Sequence, residues 1–130
     1  MVILYNYYYV PMLMPSSIPP HNIERSAEDF SRQRRREIRL DIRGASRTEL
    51  GNEFYSYEWS TPAQINPNEF LICYLEGQNI NVLNGGFAPG DFAPMYAMES
   101  FPRRRNQWVV TVHNPTSSRR ELSLYLIAKT

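Results

Sequence analysis

Apolar and polar residues alternate along much of the second half of the chain, and this period of two predicts β-strands. The two clearest runs are residues 107–113 and 122–129, in which β-branched, aromatic or leucine residues occupy every second position. Residues 114–118, with the sequence NPTSS, have the composition of a turn. We therefore predict a β-hairpin over residues 107–129.

Shorter runs of the same kind predict further strands, at residues 37–43, 54–59, 69–75 and 79–83. The run at 69–75 is apolar on both faces, which is typical of an interior strand. About six strands with turn residues at short spacing predict an all-β fold, an antiparallel β-sandwich of the jelly-roll type. We expect this domain to cover residues 25–130.

Two stretches do not alternate. Residues 1–24 are apolar and aromatic and then rich in proline, which predicts an extended N-terminal arm. Residues 87–105 contain several prolines and glycines, which predicts a long loop. Between the arm and the first strand, Ser26 and Asp29 have the spacing of a helix N-cap, and they predict one short helix that ends in the arginines up to residue 36.

The arm would expose contiguous apolar area in water, so we expect it to lie on a neighbouring subunit, with wrapping around its own domain as the alternative. The arm residues assigned to this contact are Tyr5, Tyr7, Tyr8, Tyr9, Met12, Leu13 and Met14. The expected partners are therefore copies of the chain and other subunits of an assembly.

The formal net charge is only +1, but thirteen of the fourteen basic residues are arginine and eight of these lie in residues 25–47. Arginine is preferred where a planar fork pairs with carboxylate or phosphate. The first cluster is Arg34, Arg35 and Arg36. Acids are interleaved with it, so we predict ion pairs within or between subunits, with nucleic acid as the alternative. The second cluster is Arg103, Arg104 and Arg105, which has only Glu99 nearby and is the candidate contact for a polyanion.

Catalytic and metal-binding patterns do not emerge from the sequence. His21, Cys73 and His113 are widely spaced, and a single cysteine allows no intrachain disulfide. We predict a structural role for His113, a buried apolar role for Cys73, no cofactor and no enzymatic activity. No apolar run is long enough to cross a bilayer, and the N-terminus lacks the pattern of a secretion signal.

Residues 70–127 resemble the small β-sandwich proteins of phage virions, including penton and minor capsid proteins. The resemblance is carried by Gly77-Gln78-Asn79-Ile80, the glycine-rich turn after it, Phe92-Ala93-Pro94-Met95 and the two closing strands. It implies a capsid, cement or penton component that is assembled in the host cytoplasm and located in the virion. Arg103–Arg105 has no counterpart in that pattern.

Two classes of function are consistent with these observations. The first is a non-enzymatic structural subunit that binds its neighbours through the arm. The second is a carbohydrate- or receptor-binding module that uses the 87–105 loop, with Tyr96, Phe101 and Trp108 as stacking residues.

Overall fold

Residues 34–130 are described by a computed structural model of the chain, and they form two β-sheets that pack face to face. Within this range the only helical element is one 3-10 turn, Ile42–Gly44. The strands, in chain order, are β1 (Arg35–Asp41), β2 (Ser46–Gly51), β3 (Phe54–Glu58), β4 (Ala63–Ile65), β5 (Phe70–Glu76), β6 (Asn81–Pro89), β7 (Tyr96–Arg104), β8 (Gln107–His113) and β9 (Arg120–Lys129). The predicted all-β sandwich is confirmed.

The four-stranded sheet has the order β1–β5–β8–β7. β1 runs parallel to β5 in one unbroken register, and the other neighbours are antiparallel. β5 is an interior strand, as its two apolar faces predicted. β7 is an edge strand whose pairing with β8 is interrupted by two bulges.

The five-stranded sheet is built around β9. One side of β9 pairs with β6 over residues 122–129, with one irregularity between Ile127 and Ala128. The other side pairs with β4 near its beginning and with β3 near its end. β2 extends the sheet beyond β3. Every other strand in this sheet therefore reaches β9 directly or through one neighbour.

The core lies between the sheets and is formed by the apolar positions of the alternating runs. From the four-stranded sheet it takes Leu71, Cys73, Leu75, Val110 and Val112, and from β9 it takes Leu122, Leu124, Leu126 and Ala128. These side chains are essentially inaccessible to solvent. Burying one leucine side chain contributes about 1.5–3 kcal/mol, so the alternation itself accounts for much of the stability of the sandwich.

The hairpin predicted over residues 107–129 is wrong, although both of its strands exist. β8 belongs to the four-stranded sheet and β9 to the five-stranded sheet, so they do not pair with each other. The segment between them crosses the sandwich, and Asn114 at its start is completely buried. Alternation shows that each strand buries one of its faces. The buried faces of β8 and β9 pack against each other across the core, and the two strands are not hydrogen-bonded neighbours in one sheet.

The long loop predicted at residues 87–105 is also wrong. β6 continues to Pro89 and β7 begins at Tyr96, so only six residues connect the two sheets here. Pro102 lies inside β7 and is tolerated because an edge strand needs hydrogen bonds on one side only. The bulge between Pro102 and Arg104 absorbs the remaining irregularity.

The predicted arm lies outside the described residues, and with it the residues assigned to subunit contact, Tyr5, Tyr7, Tyr8, Tyr9, Met12, Leu13 and Met14. Most of the predicted helix lies outside them as well. Arg35 and Arg36, which were expected at the end of that helix, are in β1. This part of the helix prediction is wrong because both residues are in register with β5, where the alternation of β1 begins.

Candidate interaction surface on the four-stranded sheet

The four-stranded sheet has a second face that points away from the core, and we call it the outer face. Cross-strand partners project to the same side of a sheet, so the register arranges its side chains in rows. From β1 across to β7, the rows are Arg35, Phe70, His113 and Tyr96; Glu37, Ile72, Thr111 and Glu99; Arg39, Tyr74, Val109 and Phe101; and Asp41, Glu76, Gln107 and Arg104. Charged residues thus occupy mainly the two edges, and aromatic and apolar residues the centre.

The first row is an aromatic cluster. The His113 ring stacks on Phe70 at 4.1 Å between centroids, and Tyr96 meets it edge-on at 5.2 Å. The Tyr96 hydroxyl lies 2.8 Å from Nδ1 of His113. Burial lowers the pKa of His113 and raises the pKa of Tyr96, so both groups are held uncharged near neutral pH. His113 therefore packs in the outer face as an aromatic ring with one polar contact.

The third row is organised around Tyr74. The guanidinium carbon of Arg39 lies 4.4 Å from the centre of its ring, and that of Arg103 lies 5.5 Å from it. Arg39 also donates to Glu76 at 2.9 Å, and Gln107 donates to the same carboxylate oxygen at 2.7 Å. Cation–π contacts at exposed sites contribute about 0.5–1 kcal/mol each. Both arginines thus pack on the face of the same aromatic ring, and Arg39 also binds a carboxylate.

Large apolar side chains on this side of β7 are exposed to solvent. Tyr96 is 48% and Phe101 40% exposed, and Met98, at a bulge between them, is 42% exposed. An antiparallel sheet that faces water normally carries polar side chains on its outer side. Exposed apolar patches with a polar rim are typical of protein–protein contacts. The outer face therefore has the composition of an interface.

Trp108 does not belong to this surface. Its cross-strand neighbours are Leu75 and Pro102, its ring lies against the core, and its Nε1 donates to Ser100 Oγ at 2.9 Å. A Cβ at Gly85 would come within 2.5 Å of the indole, so only glycine fits beneath the ring. The predicted grouping of Tyr96, Phe101 and Trp108 on one recognition loop is therefore wrong, because strand alternation sends Trp108 to the opposite face.

The first arginine cluster has one defined ion pair. Nε and Nη2 of Arg36 donate to the two carboxylate oxygens of Glu69 at 3.1 and 3.0 Å. Burial alone would raise the pKa of Glu69, but hydrogen bonds from Arg36 and Asn66 hold it below its ordinary value. Within residues 34–130 neither Arg34 nor Arg35 has a carboxylate partner, and their assignment to ion pairs stays a prediction.

The second arginine cluster lies at the end of β7 and in the turn that follows. Arg103 covers Tyr74, Arg105 donates to Asn81 at 3.0 Å, and Arg104 is the last residue of the fourth row of the outer face. All three are exposed, and none forms an ion pair within the described part of the chain. Their charge is therefore available to an external anion.

Two structural residues gave no clear signal in the sequence. Glu69 pairs with an arginine that is 33 positions away. Asn114 has its amide nitrogen 2.9–3.2 Å from the carbonyl oxygens of Ile65, Asn66 and Ser118. Its carbonyl oxygen accepts from the backbone and the hydroxyl of Thr116. Asn114 thereby fixes the crossing between the two sheets.

No group of His, Cys, Asp and Glu side chains among the described residues could hold a metal ion. Burial raises the pKa of Cys73 to about 12, so the thiol is not a nucleophile at neutral pH. Over the same residues, no helix is long and apolar enough to cross a membrane.

One family model, YjdH, matches residues 36–128. No curated protein and no solved structure matches the chain. The family match begins in β1 and ends in β9, so it includes both sheets and nearly all of the outer face. The chain therefore belongs to the YjdH family.

Proposed function

We propose that the protein is a non-enzymatic structural subunit that binds neighbouring subunits through the outer face of its four-stranded sheet. The observation that carries the proposal is that this face combines an apolar, aromatic centre with exposed Tyr96 and Phe101. Burial of such area contributes about 25 cal/mol per Å². Phe70 and Val109 in the centre are only 4% exposed, so a partner that covers the face would gain binding energy mainly from Tyr96 and Phe101.

The size of the face indicates that it forms only part of the contact. Four strands about 4.8 Å apart and seven residues long cover roughly 400 Å² of plane. A stable interface buries about 800 Å² on each partner. Further contact must come from another segment, and the sequence of residues 1–24 supplies an apolar and aromatic one. The arm of a neighbouring subunit is the segment that this proposal names.

The proposed assembly is a phage virion, in which the chain would be a capsid, cement or penton component. The support is the resemblance of residues 70–127 to virion sandwich proteins, together with a surface suited to subunit contact. Deletion of residues 1–20 tests the role of the arm. Assembly of the truncated chain to the same size as the full chain would contradict it.

Sedimentation velocity of the full chain tests the outer face. We expect self-association that is strongly reduced in the double variant Tyr96→Ser/Phe101→Ser. The matched control is Leu50→Ser/Leu83→Ser, which removes apolar side chains that are 54% and 47% exposed on the five-stranded sheet. Equal loss of association in both double variants, or in neither, would contradict the proposal.

A second candidate function is contact with a polyanion through Arg103, Arg104 and Arg105, favoured by their exposure and lack of carboxylate partners in residues 34–130. Polynucleotide affinity should fall as the salt concentration rises. In a plot of log affinity against log salt concentration, the triple alanine variant should have a slope that is shallower by nearly one unit for each phosphate that it no longer binds. Arg47→Ala/Arg119→Ala, which removes two positive charges elsewhere, is the control, and the two changes in slope are compared per charge removed. An identical slope in wild type and the triple variant would exclude nucleic acid at this cluster.

A further inference from the structure

The two edges of the four-stranded sheet differ in how well they are protected against pairing with another strand. β7 has two bulges and Pro102, which are devices that block the addition of a strand. β1 has neither, because its register with β5 is continuous from Arg35 to Asp41. Within residues 34–130 no strand pairs with the far side of β1. Among the described residues this edge is therefore regular and has no strand beside it, and its one side-chain contact is Trp59 Nε1, which donates to the carbonyl of Asp41 at 2.9 Å.

The backbone direction of β1 determines which of its residues can bind a further strand. The carbonyl of Arg34 accepts from the Phe70 N–H of β5 at 3.0 Å. Because the N–H and C=O groups of a strand alternate in direction, residues 35, 37, 39 and 41 direct theirs away from β5. The same four residues carry the outer-face side chains Arg35, Glu37, Arg39 and Asp41. The charges along the open edge therefore alternate in sign.

We propose that two copies of the chain pair through their β1 strands, antiparallel about a two-fold axis at Ile38, to form one continuous sheet. In this register Arg35 faces Asp41 and Glu37 faces Arg39, in both symmetry-related halves. Every charged cross-strand pair is then of opposite sign, which stabilises an antiparallel pair. The hydrogen-bonding groups of these residues also face each other. The occupant of the edge is thus a second copy of this chain.

Alternative registers are excluded by the same charges. A shift of two residues in one direction places Glu37 opposite its own copy and Arg35 opposite Arg39. The opposite shift places Arg39 opposite its own copy and Glu37 opposite Asp41. A shift of one residue sends the side chains to the wrong face. Parallel pairing in register places like charges side by side. A shift of four residues keeps opposite charges but pairs only one end of β1, and a parallel pairing staggered by two residues does not close into a two-fold dimer. The pairing about Ile38 is thus the closed arrangement that brings opposite charges together along the whole strand.

The inner side of β1 also favours this pairing. Ile38 and Leu40 pack on the edge of the core but remain half-buried, so both still expose apolar area. In the paired sheet Ile38 meets its own copy, and the stem of Arg36 lies beside Leu40. Arg39 and Arg35 are free to make the new pairs, since Arg39 uses only one nitrogen on Glu76 and Arg35 has no ion pair within the described chain. The carboxylate of Asp41 already accepts from Arg43 and Gln78, so it would be shared with Arg35 of the second copy.

The position on the axis gives a direct test by disulfide formation. Ile38 and its copy form a non-hydrogen-bonded pair, in which the Cα atoms lie about 4.5 Å apart, within the range that a disulfide spans. The full-length variant Ile38→Cys should form a covalent dimer on mild oxidation. Leu40→Cys is the matched control, because its copy is four residues away in this register. Cys73 is buried and does not compete.

Charge variants test the register in solution by sedimentation equilibrium. Arg35→Glu should weaken the dimer roughly tenfold, because it replaces two attractive pairs by two repulsive ones. Glu37→Arg should act similarly, and Glu37→Arg/Arg39→Glu should restore the dimer. The pairing would be overturned if Ile38→Cys and Leu40→Cys cross-linked equally, or if dimer affinity were the same in all charge variants.

This inference rests on self-association of the chain but not on the outer face, so the two proposals can fail separately. Loss of larger assemblies in Tyr96→Ser/Phe101→Ser with a remaining dimer would leave the β1 pairing intact. If Arg35→Glu abolished the β1 dimer but left association through the outer face at high concentration, both proposals would be supported. A full chain that is monomeric at every concentration tested would overturn the β1 pairing.

Discussion

The two faces of the four-stranded sheet are made by the same strands but are held together in different ways. On the inner face Leu71, Leu75 and Val110 are fully buried aliphatic side chains with no polar group to satisfy. On the outer face several large side chains have a specific neighbour, as in the stack of His113 on Phe70 and the two arginines around Tyr74. The inner face depends on the amount of apolar area, and the outer face on particular pairs.

This difference means that equal changes on the two faces should have unequal effects. Leu75→Ala on the inner face should lower the free energy of unfolding by about 2–5 kcal/mol, through reduced burial and the cavity left behind. Ile72→Ala on the outer face, where the side chain is half-buried, should cost clearly less. Urea unfolding of both variants measures this. Equal losses would show that the outer face is packed as tightly as the core.

The segment that crosses from the four-stranded to the five-stranded sheet should be the most sensitive polar site. Asn114→Ala should cost about 1–3 kcal/mol, because it leaves buried carbonyl groups without a donor. The control is Asn79→Ala in an exposed turn, which should be nearly neutral. Thermal unfolding of the two variants makes the comparison, and similar melting temperatures would contradict the role of Asn114.

Acid should destabilise the fold at the start of β5, where Arg36 forms an ion pair with Glu69. Because the folded pKa of Glu69 lies below its unfolded value of about 4.3, its contribution is present above that pH and is lost as the pH falls through the folded pKa. Glu69→Gln should therefore cost about 1 kcal/mol at pH 7 and reduce the dependence of stability on pH below 5. Unfolding free energies at several pH values measure the effect. An unchanged profile would mean that the ion pair does not stabilise the fold.

The smallest effect that we expect is the pH dependence of stability that comes from His113 on the outer face. His113 has a folded pKa below its unfolded value of about 6.5, so its contribution is full above that pH and falls as the pH is lowered through the folded pKa. His113→Phe should keep the ring stacking and remove this slope. NMR titration of the His113 ring provides the direct measurement. A ring that titrates above 6.5 would contradict the assignment.

Strands could be predicted from the sequence, but strand partners could not. The alternation at residues 107–113 and 122–129 reports that each strand buries one face, and this information is local. Whether the buried faces lie side by side or across a core depends on contacts with β3, β5 and β6, which are distant in the chain. The turn-like composition of residues 114–118 is compatible with both arrangements.

The candidate surface could be predicted only in pieces. The sequence points to Tyr96 and Phe101, but on a loop, since prolines near them suggest irregular structure. It places Tyr74 in an interior strand, and nothing local connects this residue with Arg39 or Arg103. The apolar composition of both faces of β5 is the one signal in the sequence that the outer face of this sheet is apolar at its centre.

The central place of β9 has a consequence for how the chain acquires its structure during synthesis. β3, β4 and β6 all pair with β9, yet all three precede it in the sequence. These strands cannot complete their sheet until residues 120–129 have left the ribosome. Non-local pairing of this kind makes folding slow and exposes strand edges in the meantime. We therefore expect nascent chains that stop before Arg120 to need chaperone protection, and the sandwich to close in a single late step.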